Sequence, residues 1–360
     1  MMMKNLFKLI LLVSALFFVL GFGSASVAKM KVGFIYIGPP GDHGWTYSHD
    51  QARLMVDNML GDHVETTFVE GVPEGPDAER AIAKLAETGH KLIFTTSFGY
   101  MEPTLKVAKR FPDVYFEHAT GYKRSNNVST YSARFYEGRY VQGVIAGKIS
   151  KSGVIGYIAS FPIPEVVRGI NSFMLGAQSQ NSNIKVKIVW VYTWFDPPKE
   201  ADAAKVLMDQ GADIITQHTD STAALQAASD RGIYAFGQAS DMIKFAPNTQ
   251  LTAILDEWGP YYVKRTADAL MGTWKSGDTW DGMSKGMVVM APFTNMPTTV
   301  STLARKTMES IHSKTFHPFT GPVYDQSGAL KIPAGKVPDD HPMLTTMKWY
   351  VKGIEDKLPE

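Results

Sequence analysis

"AKLAETGHKLIFTTSF", residues 83–98, and "KVLMDQGADIITQHTD", residues 205–220, share one grammar: the end of an amphipathic helix, a glycine, a polar pair, an apolar strand and a polar tip. The glycine suits a left-handed helix C-cap, and the run after it has the length of a buried strand. Any two βα units look somewhat alike, so the echo is read either as two similar halves or as plain alternation. Both readings give an α/β chain. Strand candidates continue in both directions: 31–37, 64–70, 91–97, 114–120, 154–160, 186–193, 213–219, 233–240 and 251–255. Between them lie segments such as "PDAERAIAKLAETG" and "EADAAKVLMDQG", apolar at i, i+3 and i+4. Strands that alternate with helices predict parallel sheets covered by helices on both faces.

Residues 1–28 read as a secretory signal peptide, with Lys4 and Lys8, an apolar run from Leu9 to Phe22, and a small-residue cleavage site at Ser26-Val27-Ala28. The apolar run is shorter than the roughly 18–20 residues of a spanning helix and nothing comparable follows it, so the mature chain is expected to be soluble and periplasmic. The sequence has no cysteine. That rules out a lipid-anchor cysteine, a disulfide, a thiolate metal site and a cysteine nucleophile. Losing the leader takes the formal charge from +1 to −1, which advertises neither nucleic acid nor an anionic membrane as partner. The 332 residues that remain exceed what one core usually holds and favour two domains.

In open parallel sheets, ligands sit at the carboxyl ends of the strands. "GPPGDHGWTYSHD", residues 38–50, is such a loop and presents Trp45 near the start of a helix running to about Leu60. Asp42 reads either as the cap of that helix or as a ligand group, and Trp45 either as a packed residue or as a stacking ring. "VWVYTWFDPPKEAD" repeats the arrangement around Trp194, before a helix opened by Pro197. Two indoles facing each other across a cleft would clamp a flat ring, and aromatic stacking is worth about 1–3 kcal/mol per base. Phe98, Asp220, Asp241 and Asp256 at other strand tips add the few polar and aromatic groups of a small-molecule site.

Five segments carry a family resemblance: "GDHGWTYS", "KVAKRFPDVYF", "RFYEGRYVQGVIAGKISKSGVIGYI", "WFDPPKEADAAKVLMDQGADII" and "YAFGQASDM". In this order and spacing the chain resembles the basic membrane protein family of periplasmic substrate-binding components of ABC transporters, which includes purine-nucleoside receptors. The resemblance implies a type I periplasmic binding protein fold: two similar parallel-sheet lobes, three crossovers and an interlobe cleft. It divides the chain into residues 29–136 plus 240–284 for the N-terminal lobe and 137–239 plus 285–360 for the C-terminal lobe. It further implies that Trp45 and Trp194 replace the phenylalanines that sandwich the purine, and that Asp241 matches the carboxylate bonding the ribose. Asp256 stands where nucleoside-binding relatives carry a ribose-contacting lysine, and Thr120 where a carboxylate is expected. Those departures shift the expected ligand from nucleoside towards a free base such as adenine. The implied partner is a permease in the inner membrane, served by a monomeric receptor without cofactor or metal.

Other classes fit less well. Gly38, Gly41 and Gly44 have the wrong spacing for a dinucleotide fingerprint, Pro39 and Pro40 remove amides a pyrophosphate would need, and no P-loop or nucleophile elbow occurs. An enzyme is therefore not expected. His43, His49, Asp42 and Asp50 lack the i, i+4 spacing of helical metal ligands. A sugar receptor of the same fold would carry more Arg and Asn at the strand tips, and a ligand-sensing domain would look the same as a transport receptor.

Overall fold

The computed structural model describes residues 28–359, so the leader expected over 1–28 lies, but for Ala28, outside the described residues. The first half of the chain runs β1 (Met30–Ile35), α1 (Trp45–Leu60), β2 (Val64–Val69), α2 (Pro76–Glu87), β3 (Leu92–Thr95), α3 (Met101–Arg110), β4 (Tyr115–Ala119), β5 (Val128–Ala133) and α4 (Phe135–Ile149). It continues through β6 (Val154–Ala159), α5 (Pro164–Gln178), β7 (Lys185–Trp190), α6 (Pro197–Asp209), β8 (Ile214–His218), α7 (Ala223–Asp230), β9 (Tyr234–Gly237) and β10 (Gln250–Asp256). Then come α8 (Gly259–Leu270), β11 (Asp278–Asp281), β12 (Val288–Met290), α9 (Thr298–His312), the short pair β13 (Val323–Tyr324) and β14 (Leu330–Ile332), and α10 (Asp340–Thr345).

Two six-stranded sheets result, ordered β11-β5-β4-β3-β1-β2 and β12-β10-β9-β8-β6-β7. Every pairing in the first is parallel, and in the second only β12 runs antiparallel, against β10. The strands bury both faces, as helix-covered parallel sheets must: β3, β5 and β8 are buried at every residue. The polypeptide passes between the sheets three times, after β5, after β10 and between β11 and β12.

All nine expected strands form, each within three residues of its expected ends, as boundary readings usually allow. β5 was not expected. Its sequence, "VSTYSA", has no apolar run because its polar side chains are spent on partners: Thr130 Oγ1 donates to Asp278 Oδ1 and Ser129 Oγ accepts from Arg265. The expected return to the first lobe at residue 240 also needs correction. β10 stays in the second sheet between β9 and β12, where Leu251, Ala253 and Ile254 are buried, and the chain leaves only after Asp256.

The second lobe is built around the contact of α4 with α5. A Cβ at Gly143 or Gly176 would overlap the backbone of the facing helix, so glycine sets how closely these helices approach. The C-terminal tail lies against this pair: Arg168 on α5 donates to Met343 O and Asn171 donates to Trp349 O. Among the described residues, no helix is long and apolar enough to cross a membrane.

Candidate ligand-binding site

The carboxyl ends of both sheets face one cavity. From the first lobe it is lined by Ile37 after β1, Trp45 at the start of α1, Ser97 and Phe98 after β3, and Thr120 after β4. The second lobe contributes Glu165 in the first turn of α5, Trp194 after β7, His218 and Asp220 at the tip of β8, and Gln238 after β9. The lobes touch around it. Ser48 Oγ donates to Ala239 O at 2.7 Å, Ser240 Oγ donates to His43 O, and Gly44 packs on the Asp220 backbone so tightly that a Cβ there would overlap the Asp220 carbonyl. This is a closed arrangement.

The two indoles are held differently. Trp45 Nε1 donates to Thr96 O at 2.6 Å, and its ring meets His49, Phe135 and Trp258 edge-on, so its orientation is fixed from behind. Trp194 is half-buried, touches Phe161 at a tilt with ring centroids 5.2 Å apart, and leaves Nε1 without a partner among the described residues. Thr120 adopts a left-handed φ of 62°, unusual for a β-branched residue, and its amide donates to Tyr131 O. Strained backbone of this kind concentrates at ligand sites.

Of the seven residues expected to bind ligand, Trp45, Trp194, Phe98 and Asp220 line the cavity, whereas Asp42, Asp241 and Asp256 do not. Asp42 is the helix cap: its carboxylate accepts from the amides of Gly44, Thr46 and Tyr47 at the start of α1. The left-handed turn at Ala239, φ 61°, separates Gln238, which lines the cavity, from Asp241, which is exposed and accepts from Ile243 N and Gln250 Nε2. Asp256 and Asp241 share a second cavity between α1 and residues 239–241 and 255–259. Ile37, Ser97, Glu165, His218 and Gln238 escaped the sequence reading. Each lies at a strand tip or the helix start that follows one, and the signal that found Trp194 applied to them equally.

The cavity is rich in acceptors. Burial and, next, the Asp42 charge raise the Asp220 carboxyl well above the ordinary carboxylate range, and its Oδ2 has no partner among the described residues. Burial also raises Asp42 to about 6, against the pull of its three amide donors. Burial lowers the His218 imidazole below its ordinary value, against the pull of Glu165, whose Oε1 lies 3.5 Å from its Nε2. Asp256 is raised well above its usual range by burial and then by Glu165, and neither of its oxygens has a partner among the described residues. Behind Gln238, the buried Arg139 guanidinium donates to Gln238 Oε1, Gln142 Oε1 and Thr216 Oγ1. Among the described residues, no group of three or more His, Cys, Asp or Glu is arranged to hold a metal ion.

Residues 29–320 match the family described as ABC transporter substrate-binding protein PnrA-like. The chain is 65% identical over 343 residues to the purine-binding protein of Brucella abortus strain 2308, covering 95% of this chain and 98% of that one. It is 35% identical to a Haloferax volcanii protein named as an ABC transporter glucose-binding protein, over 94% of this chain and 84% of that one. Among solved structures, an ABC transporter solute-binding protein from Aeropyrum pernix K1 superposes with a TM-score of 0.70 at 17% identity, covering 88% of this chain and 95% of the other. The architecture of two parallel sheets and a cleft is that of the type I periplasmic binding proteins.

Proposed function

Since the chain belongs to the PnrA-like family of ABC transporter substrate-binding proteins, we propose that its cargo is a purine, held as the free base between Trp45 and Trp194. A family member takes a small-molecule ligand and serves a membrane permease. The observation that carries the purine reading is the pair of indoles, one from each lobe, lining a single cavity. Two such rings recognise a flat bicyclic base by its faces and make no call on a sugar. The outward position of Asp241 supports the same choice, because the carboxylate expected to bond a ribose is occupied elsewhere.

Asp220 and Glu165 then accept from the N–H groups of the base, and a donor-rich edge such as that of adenine satisfies them. Ligand contacts to both lobes favour the closed state over an open one, which is the signal a permease reads. In this reading the receptor works as a periplasmic monomer exported by residues 1–28, and it binds without catalysis.

Calorimetric titration with adenine, adenosine, guanine, guanosine, ribose and glucose tests the proposal. Adenine is expected to bind more tightly than adenosine, and the sugars not at all. If adenosine binds about tenfold more tightly than adenine, equivalent to 1.4 kcal/mol, the ligand is the nucleoside. Glucose binding with no purine binding would give the site to a sugar.

A further inference from the structure

We infer that Arg139, which does not line the ligand cavity, decides which purine edge the receptor accepts by locking the side-chain amide of Gln238 with its NH2 group facing the ligand. The inference rests on the purine reading above and adds a specificity device to it. A guanidinium carries only donors. The atom of Gln238 that meets Arg139 must therefore be the acceptor Oε1, and the other end of the amide must be the NH2. An unassisted glutamine could turn over and present either end. This one cannot do so without setting NH2 against guanidinium.

Arg139 is itself immobilised. It is 1% exposed, its Nη1 donates to Gln142 Oε1 and to Thr216 Oγ1 at 3.2 Å each, and its guanidinium lies 5.5 Å from the centre of the Tyr157 ring. Three elements, α4, β6 and β8, thus hold the fork that orients a residue after β9. Gln238 is 5% exposed and lines the cavity, and its Nε2 donates to no group among the described residues.

The cavity wall of the second lobe then sets an amide donor of fixed orientation, Gln238 Nε2, beside the carboxyls of Asp220 and Glu165, with the Trp194 indole N–H as a further donor. That pattern demands a base edge carrying an acceptor and a donor side by side. Adenine and hypoxanthine have the same shape and differ in which of these groups stands at the 1- and 6-positions. 7-Deazaadenine removes only the acceptor at position 7. A locked amide discriminates among the three, and a free one adapts.

The test is the affinity of adenine, hypoxanthine and 7-deazaadenine for the parent, Arg139→Met and Gln238→Glu. The parent is expected to separate at least one pair of these bases by about tenfold or more. Arg139→Met should shrink that ratio by about fivefold or more while still binding the preferred base, because the amide becomes free to turn. Gln238→Glu keeps the contact with Arg139 and loses the donor, and should weaken the preferred base by about tenfold or more at an unchanged melting temperature. Binding of all three bases by the parent within about twofold, or an Arg139→Met ratio equal to the parent's, overturns the inference and leaves the purine reading intact. If Arg139→Met fails to fold, Gln238→Glu decides alone, and parent-like binding by that variant refutes the idea. Failure of the parent to bind any purine overturns both readings.

Discussion

Replacing Trp194 with alanine separates stacking from folding more cleanly than any other change at this site. Its ring is half-buried and touches Phe161, and its indole nitrogen has no hydrogen-bond partner among the described residues, so little of the lobe depends on it. The backbone is anchored independently: Trp194 O accepts from Asp220 N at 2.9 Å, and α6 is capped by Asp196, which accepts from Lys199 N. The stability cost should therefore fall well short of the roughly 3–5 kcal/mol of a fully buried Trp→Ala change. Binding should lose one stacked face, about 1–3 kcal/mol, or roughly a 5- to 150-fold rise in Kd. Calorimetry at one temperature gives the Kd, and a melting curve on the same sample gives the stability. Trp194→Phe keeps a smaller face and should recover part of the loss. An alanine variant that folds and binds adenine within about twofold of the parent would refute the clamp.

Three further outcomes are expected. Trp45→Ala should lose affinity like Trp194→Ala but also lower the melting temperature, since it strips Thr96 O of a partner and leaves a void against His49, Phe135 and Trp258 worth about 2–3 kcal/mol; an unchanged melting curve would contradict that packing argument. Gly44→Ala should hold the lobes apart, because its Cβ would overlap the Asp220 carbonyl; small-angle scattering should show no compaction under ligand where the parent compacts, and normal compaction would disprove the contact. Burial raises Glu137, beside the crossover after β5, from 4.5 to about 7, so the folded state holds that proton more tightly than the unfolded chain does. Its contribution, at most about 3 kcal/mol, is complete below pH 4.5 and is lost as pH rises through 7. Glu137→Gln, which keeps an oxygen for the Met283 amide, should flatten this decline in chemical denaturation measured from pH 5.5 to 8.5, and an unaltered slope would show that another group causes it.

Much of this protein is written locally in its sequence. Alternating apolar runs and amphipathic helices ending in glycine determine the α/β class, because hydrophobic period and cap chemistry act over a few residues. That Trp45, Trp194, Phe98 and Asp220 would line the interlobe cavity was legible for the same reason: each follows a recognisable strand, and the strand tips face that cavity. Side-chain direction was not legible. Asp241 and Gln238 lie three residues apart on one strand tip, and a left-handed turn at Ala239 parts them, so the cavity received the amide and the carboxylate was spent on Gln250. Asp42 caps α1 because its carboxylate is taken up by three amides at the helix start. β5 hid behind polar residues whose partners, Asp278 and Arg265, are over a hundred residues away. Its place in the sheet, the passage of β10 into the second sheet and the Arg139 fork behind Gln238 all rest on contacts between distant segments, and only the folded chain brings those together.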